Sequence, residues 1–569
     1  MEMDDFTQLV QSVNGLLWGM YCLIPLLVGT GIYLTIKLRF IQIRRFGQAF
    51  RKVFGGITLF GDKAGKDGMS SFQSLATAIS AQVGTGNLAG VATAIAMGGP
   101  GAIFWMWLAA FFGMATIFAE ATLAQVFRAR DAHGQIMGGP AFYISRGLHN
   151  KPLAAFFAVS IIIALGFIGN MVQANSIADG FHKAFEIPQW ATGIFVFAIA
   201  GFIFIGGVRR IASFAEKMVP LMAVVYILGS LTIIFSNYDM ILPAFKEIIV
   251  GAFDPSAATG GIIGASLKEA IRYGVARGLF SNEAGMGSTP HAHALAQVKH
   301  PCEQGLVAYV GLFFDTFIVL NMTALVILTT GVLDGKSTGI VLTQAAFTAG
   351  LGDIGPGFVA ICLFFFAFTT IVGWYFFGEQ NVKYLLGLRW VQSYRVLVLC
   401  FLMLGSFLHV TLVWELADFF NGIMVIPNVI ALLALSGLVA KVLKDYDTKF
   451  MLGETPEYGA LSPSGGEPFS LEPSPRKGRR FSRLKLRLRR KKTPPVNLDE
   501  MDQLKERGLD RFEKLRSQAF RLLKSPNAGD PQRRRPMPSA AFFVGLQHRL
   551  TDPHIRGEFQ GVISSQALA

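Results

Sequence analysis

Charge is what this chain has least of. Asp, Glu, Lys and Arg make up 15% of its 569 residues, and 52% are hydrophobic. Soluble domains carry about 25% charged residues, so the composition excludes an ordinary water-soluble enzyme and fits a polytopic membrane protein. Cysteine is scarce as well. Cys22, Cys302, Cys362 and Cys400 show neither a disulfide framework nor zinc spacing. The first residues, Met1-Glu2-Met3-Asp4-Asp5, lack a basic run, so no cleavable signal peptide is expected. Nucleotide motifs are missing too. Gly84-x-Gly86-x-x-x-Gly90 does not have the dinucleotide spacing, and Gly331 to Gly335 encloses three residues where a phosphate loop needs four. His291 and His293 stand two apart, a poor metal geometry. No nucleophile–base set lies at membrane depth, so the chain reads as no enzyme and needs no cofactor.

What is abundant is apolar and small: 50 Phe and 62 Gly, with glycine suited to close helix packing in lipid. A crossing helix needs about 20 apolar residues. Eleven segments qualify, near 16–38, 71–97, 101–127, 153–178, 190–207, 216–236, 262–287, 305–330, 357–378, 394–413 and 419–440. The expected fold is therefore all-α and integral to the membrane. The seventh segment is the most polar, holding Lys268, Glu269, Arg272 and Arg277. Lys and Arg concentrate in alternate loops: Lys37 to Lys66, Arg128 with Arg130, Arg209 with Arg210, Lys299, and Lys383 with Arg389. The positive-inside rule then puts the N-terminus outside and the C-terminus in the cytoplasm.

The second segment is interrupted at Val83-Gly84-Thr85-Gly86-Asn87. In hydrocarbon a freed backbone N–H or C=O costs several kcal/mol, so such a break is tolerated where it lines a cavity and binds an ion or a substrate. Setting the first span aside leaves ten, and the seventh segment is broken in the corresponding place, at Phe280-Ser281-Asn282-Glu283-Ala284-Gly285-Met286-Gly287. Two sets of five with opposite polarity, each with a broken helix, is the layout of an inverted-repeat transporter with a site at the midplane.

Polar residues elsewhere at membrane depth add to this. Asn170, Gln173 and Asn175 fall within six residues, and Gln173 is a candidate for a substrate carboxylate or amine, or for interhelical bonding. Thr369 and Thr370 offer adjacent hydroxyls to a hard cation, or back-bond to their own helix. Trp374 lies one turn on and either walls a pocket or packs. Asp315, flanked by Phe313-Phe314 and Thr316-Phe317, is a coupling or a structural acid. Glu120 and Glu379 lie near span ends and are expected to be solvated.

The stretch Gly98-Gly99-Pro100-Gly101-Ala102-Ile103-Phe104-Trp105-Met106-Trp107-Leu108-Ala109-Ala110-Phe111-Phe112-Gly113 resembles the signature of the alanine or glycine:cation symporter family. Ser71–Gly90, Arg277–His293 and Gly373–Glu379 resemble the same family in order and spacing, and the likeness covers roughly residues 10–445. It implies one N-terminal helix plus a 5+5 inverted-repeat core of LeuT type. It also implies sodium-coupled symport of a small neutral amino acid, alanine or glycine, across a bacterial inner membrane. By that resemblance sodium is held at Ser80, Val83, Thr369 and Thr370. Substrate is held at Thr85, Gly86, Asn87, Gln173, Phe280, Ser281 and Trp374. A proton-coupled symporter using Asp315 and a membrane amino-acid sensor are the alternatives.

The membrane domain is expected over 1–445 and a linker over 446–475. A basic tail follows over 476–569, with a possible amphipathic helix at 498–525. After residue 440, 26 Lys and Arg face 15 Asp and Glu, so +11 of the chain's formal +14 lies beyond that residue.

Overall fold

The computed structural model describes residues 3–19, 21–55, 68–131, 134–254, 266–408 and 410–451. The tail with its possible helix, most of the linker, and Lys63 and Lys66 lie outside the described residues. The described chain is helical apart from a hairpin in which Ala129–Arg130 pairs antiparallel with Ile136–Met137.

Twelve helices carry the argument. They are α1 Met3–Leu17, α2 Leu23–Lys37, α3 Ser71–Gln82, α4 Val91–Gly98, α5 Ala102–Val126 and α6 Asn170–Phe185. The others are α7 Gly207–Ser236, α8 Leu267–Asn282, α9 Pro301–Phe313, α10 Asn321–Thr330, α11 Gly355–Leu386 and α12 Val410–Met451. Among the described residues, seven helical stretches are long and apolar enough to cross a membrane, and Leu23–Lys37, Gly86–Gly98 and Gln189–Ile205 are shorter apolar helices. The polar α8 occupies the expected seventh segment, starting at Leu267 rather than near 262 and ending at Asn282.

The two interrupted helices start alike. Ser70 caps α3, its hydroxyl accepting from Gln73 N (3.1 Å) while Gln73 Oε1 accepts from Ser70 N (3.2 Å). Ser266 and Glu269 make the same reciprocal pair at the start of α8. Such a box satisfies two otherwise orphaned N–H groups and fixes where each helix begins. Helix α3 packs against α7, α9 and α11, and α4 packs against α8, so both interruptions lie inside the bundle.

Among the described residues, three helices widen locally into π-helical turns, at Gly86–Gly90, Ile162–Gly169 and Phe314–Leu320. A π turn frees carbonyls and commonly marks a functional site. Here one follows the first break, one leads into Gln173, and one contains Asp315.

Glu120 and Glu379 correct the expectation of solvated span ends. Glu120 is fully buried, accepting from Gly285 N (3.2 Å), Gly287 N (3.0 Å) and Asn428 Nδ2 (2.7 Å). It caps the freed amides beyond α8. Glu379 is buried between Lys383 Nζ (2.6 Å) and the Tyr375 hydroxyl (2.6 Å). The tertiary packing of neighbouring helices, invisible in hydropathy, encloses both.

Candidate ion and substrate site

Helix α3 stops because two side chains take the amides that would continue it. Gly84 N donates to Asn87 Oδ1 (3.0 Å) and Thr85 N donates to Gln173 Oε1 (3.3 Å). In an unbroken helix those amides would serve the carbonyls of Ser80 and Ala81, four residues back. The freed carbonyls turn instead toward Thr370 of α11. Its Oγ1 lies 3.0 Å from Ser80 O, 3.5 Å from Ala81 O, 3.4 Å from Val83 O and 3.0 Å from Phe366 O. A hydroxyl has one proton and can serve one of those acceptors at a time. The cluster is therefore rich in acceptor oxygens and short of donors.

Glycine is required here for space. A Cβ on Gly84 would lie 2.4 Å from Thr370 Oγ1 and 3.3 Å from Gln173 Oε1. A Cβ on Gly86 would lie 3.2 Å from Ser281 Cα, so the two broken helices touch at that point.

A second oxygen cluster adjoins the first through Asn87. Its Nδ2 donates to Asp315 Oδ1 (2.7 Å). Ser281 Oγ lies 3.1 Å from both oxygens of the same carboxylate, and Thr316 Oγ1 lies 3.0 Å from Oδ2. Asp315 is fully buried, and among the described residues no Lys or Arg pairs with it. The carbonyls freed by the π turn are covered by hydroxyls. Thr323 donates to Asn87 O (2.6 Å) and Thr343 to Leu88 O (3.0 Å). Thr85 Oγ1 is buried with no partner among the described residues, a donor and acceptor still to be satisfied.

Most of the expected site residues thus meet. Ser80, Val83, Thr85, Gly86, Asn87, Gln173, Ser281, Asp315 and Thr370 lie around the break. Thr369 does not join them; its hydroxyl donates to Phe366 O (2.9 Å) and lies near Met222 Sδ. Asn175 serves packing, donating to Gly405 O (2.9 Å) and Leu408 O (2.8 Å).

Aromatic rings close the space beside the break. Phe280 meets Trp374 edge-on, centroids 6.2 Å apart, and Trp414 at 5.4 Å. Arg277 lies over Trp414 at 5.4 Å and grips Asp418 with two hydrogen bonds of 3.0 and 2.9 Å. Sequence reasoning did not single out Glu283, Trp414 or the pairing of Arg277 with Asp418. Glu283 accepts from Trp374 Nε1 (2.5 Å) and Ser288 Oγ (2.6 Å), and it turns the chain with φ +58°. Its signal was present, a carboxylate in the middle of the second break. His291 and His293 are buried in hydrogen bonds to Ser288 O, Asn381 and Gln304 rather than facing each other across a metal.

Residues 3–460 match the sodium:alanine symporter family. The chain belongs to that family. Among its relatives, it is 43% identical over 451 residues to the sodium/alanine symporter AgcS of Methanococcus maripaludis, covering 78% of this chain and 98% of AgcS. It is 40% identical over 452 residues to a Bacillus subtilis protein named a probable sodium/glutamine symporter, GlnT, covering 79% and 92%. Among solved structures it is similar to MhsT in complex with L-phenylalanine, with 15% identity and a TM-score of 0.46 over 67% of this chain and 99% of that one. Family membership makes this a multi-pass membrane protein of the amino-acid:sodium symporters. The matched region ends near residue 460, so the family accounts for the helical part and not the basic tail.

Proposed function

We propose that the protein is a secondary active transporter that carries a small neutral amino acid, alanine or glycine, into the cytoplasm with sodium. The observation that supports this best is the single Thr370 hydroxyl facing three carbonyls of the broken helix at 3.0–3.5 Å, besides the carbonyl one turn back in its own helix. Hard cations prefer such neutral oxygens. In this reading Ser80 O, Val83 O and Thr370 Oγ1 hold sodium, and Thr369, turned to Phe366 O and Met222, is not a ligand. The Thr85 hydroxyl and the amides of Thr85, Gly86 and Asn87 hold the substrate carboxylate once it displaces Gln173 Oε1 from Thr85 N and Gly84 O from Asn87 N. Gln173 and Ser281 flank it, and Phe280 and Trp374 restrict its side chain.

Coupling follows from shared structure. Sodium on the α3 carbonyls orders the break, and the same order presents the amides. Each ligand then favours the other by the same factor, the reciprocity that linkage requires. The stack of Trp374, Phe280, Trp414 and the Arg277–Asp418 pair joins α8, α11 and α12 and must part for substrate to pass on that side. We place this in eleven spans with the N-terminus outside, one helix preceding a 5+5 inverted repeat of LeuT type.

Asp315 favours a second reading. A buried carboxylate without a cationic partner needs a bound cation or a proton. It is either part of a further sodium cluster with Asn87, Ser281 and Thr316, or the proton carrier of an H⁺-coupled symporter. Alanine uptake into proteoliposomes under an imposed sodium or proton gradient decides between them. Uptake driven by sodium at zero proton gradient is expected. Uptake driven by protons without sodium would refute the leading reading, and ligand binding without net flux would indicate a sensor.

A further inference from the structure

Away from the break, the ends of α2 and α12 border an open cavity of about 640 Å³. Lys37, Arg39, Arg44, Lys441 and Lys444 line it with a single carboxylate, Asp447, so its formal charge is about +4. That volume is typical of small-ligand sites. The single carboxylate is already engaged by Arg44 (2.9 Å) and Arg45 (2.7 Å). Among the described residues Arg39, Lys441 and Lys444 make no ion pair. Like charges gathered at this density repel one another unless an anion joins them.

The local backbone is bent to gather them. Arg39 and Phe40 both adopt left-handed conformations, φ +56° and +54°. Two consecutive non-glycine residues of this kind are strained and persist when the surroundings impose them. The turn carries the chain off the end of α2 so that Arg39 and Arg44 face the end of α12. Lys37 crosses the seam, donating to Ser436 Oγ of α12 (3.0 Å).

The surface leading to the cavity is apolar. On α12, Ile430, Leu433, Gly437, Lys441 and Lys444 follow one another at intervals of three or four and share a face. Ile430 and Leu433 are exposed there, and Ile32 and Ile36 are exposed on α2. An oily seam thus runs up to a cationic cavity. Basic pockets between spanning helices suit lipid headgroups. We propose that this cavity binds the phosphate ester of an anionic phospholipid whose acyl chains lie along the α2–α12 seam. The proposal rests on both helices crossing the bilayer, and it does not depend on which ion drives transport. A seated lipid would brace α2 against α12.

The test uses the purified full-length chain in neutral detergent. Thermal midpoints are followed while phosphatidylglycerol, phosphatidylcholine or inorganic phosphate is titrated. Phosphatidylglycerol is expected to raise the midpoint saturably, and the other two are not. At about 1 kcal/mol per lysine near an anionic surface, the Lys441→Gln/Lys444→Gln variant should need roughly ten- to thirty-fold more lipid. Lys441→Arg/Lys444→Arg should keep the wild-type response, as should Lys246→Gln/Lys268→Gln, which removes the same charge elsewhere. The tail is the same in every protein, so the difference isolates the cavity. An unchanged response of Lys441→Gln/Lys444→Gln overturns the proposal. An equal response to phosphate assigns the site to free anions, and an equal response to phosphatidylcholine removes the role of charge; either overturns the lipid assignment.

Discussion

Replacing Thr370 by valine removes the hydroxyl while keeping the shape of the side chain. In the protein without ion, the loss is one hydroxyl–carbonyl bond of 3.0 Å, a net ~0.5–1.5 kcal/mol. Three more acceptors already lie within 3.5 Å of that oxygen, so few are newly orphaned and folding should survive. Loss of a partner to a charged group is larger, about 1.5–3 kcal/mol. At 1.4 kcal/mol per factor of ten, that raises the sodium concentration for half-maximal uptake by about ten- to a hundred-fold. By linkage the apparent alanine affinity falls as well at sub-saturating sodium and recovers as sodium is raised. Thr370→Ser should restore most of the response, because it returns the oxygen. The assay is radiolabelled alanine uptake into proteoliposomes across a sodium series at fixed membrane potential. A valine variant that folds, reaches the vesicles and shows the wild-type sodium dependence would refute the assignment.

Other expectations follow from the same geometry. Gly84→Ala puts a Cβ 2.4 Å from Thr370 Oγ1, so uptake should fall at least ten-fold; near-normal uptake would mean that the break does not have to keep this shape. Glu283→Gln leaves the buried donors of Trp374 and Ser288 facing an amide, and at about 1–3 kcal/mol for an unsatisfied donor the thermal midpoint and alanine affinity should both drop. Wild-type values for both would show that the contact contributes nothing. For Arg277→Gln and Asp418→Asn, a double-mutant cycle on the thermal midpoint should show coupling, each single change costing more than its share of the double. Strict additivity would count against a working pair. Truncation after residue 460 should leave uptake intact, since the family match ends there; loss of uptake by a correctly inserted truncation would give the tail a transport role.

The reach of the sequence differs from residue to residue. Gly84 and Gly86 were legible because glycine inside an apolar helix has a cost that needs a reason. Asp315 was legible because a carboxylate among phenylalanines has the same kind of cost. The seventh segment was legible only through its partner, since its hydropathy is poor and its case rested on a second break at the matching position. Thr369 and Thr370 look alike in sequence, and packing separated them. Helix rotation turns Thr370 to the freed carbonyls and Thr369 to Phe366 O and Met222.

Sequence alone determined that this chain lives in lipid, that its spans are helices and that two of them break. These follow from local quantities: the length of apolar runs and the cost of exposed backbone in hydrocarbon. Only the tertiary structure decided which polar groups fill the breaks. Gln173 reaches Thr85 from 88 residues away, Asp315 reaches Asn87 across 228, and Glu120 caps Gly285 and Gly287 across 165 and 167. No local pattern encodes such pairings, because each buried polar group is satisfied by whichever helix the bundle lays beside it.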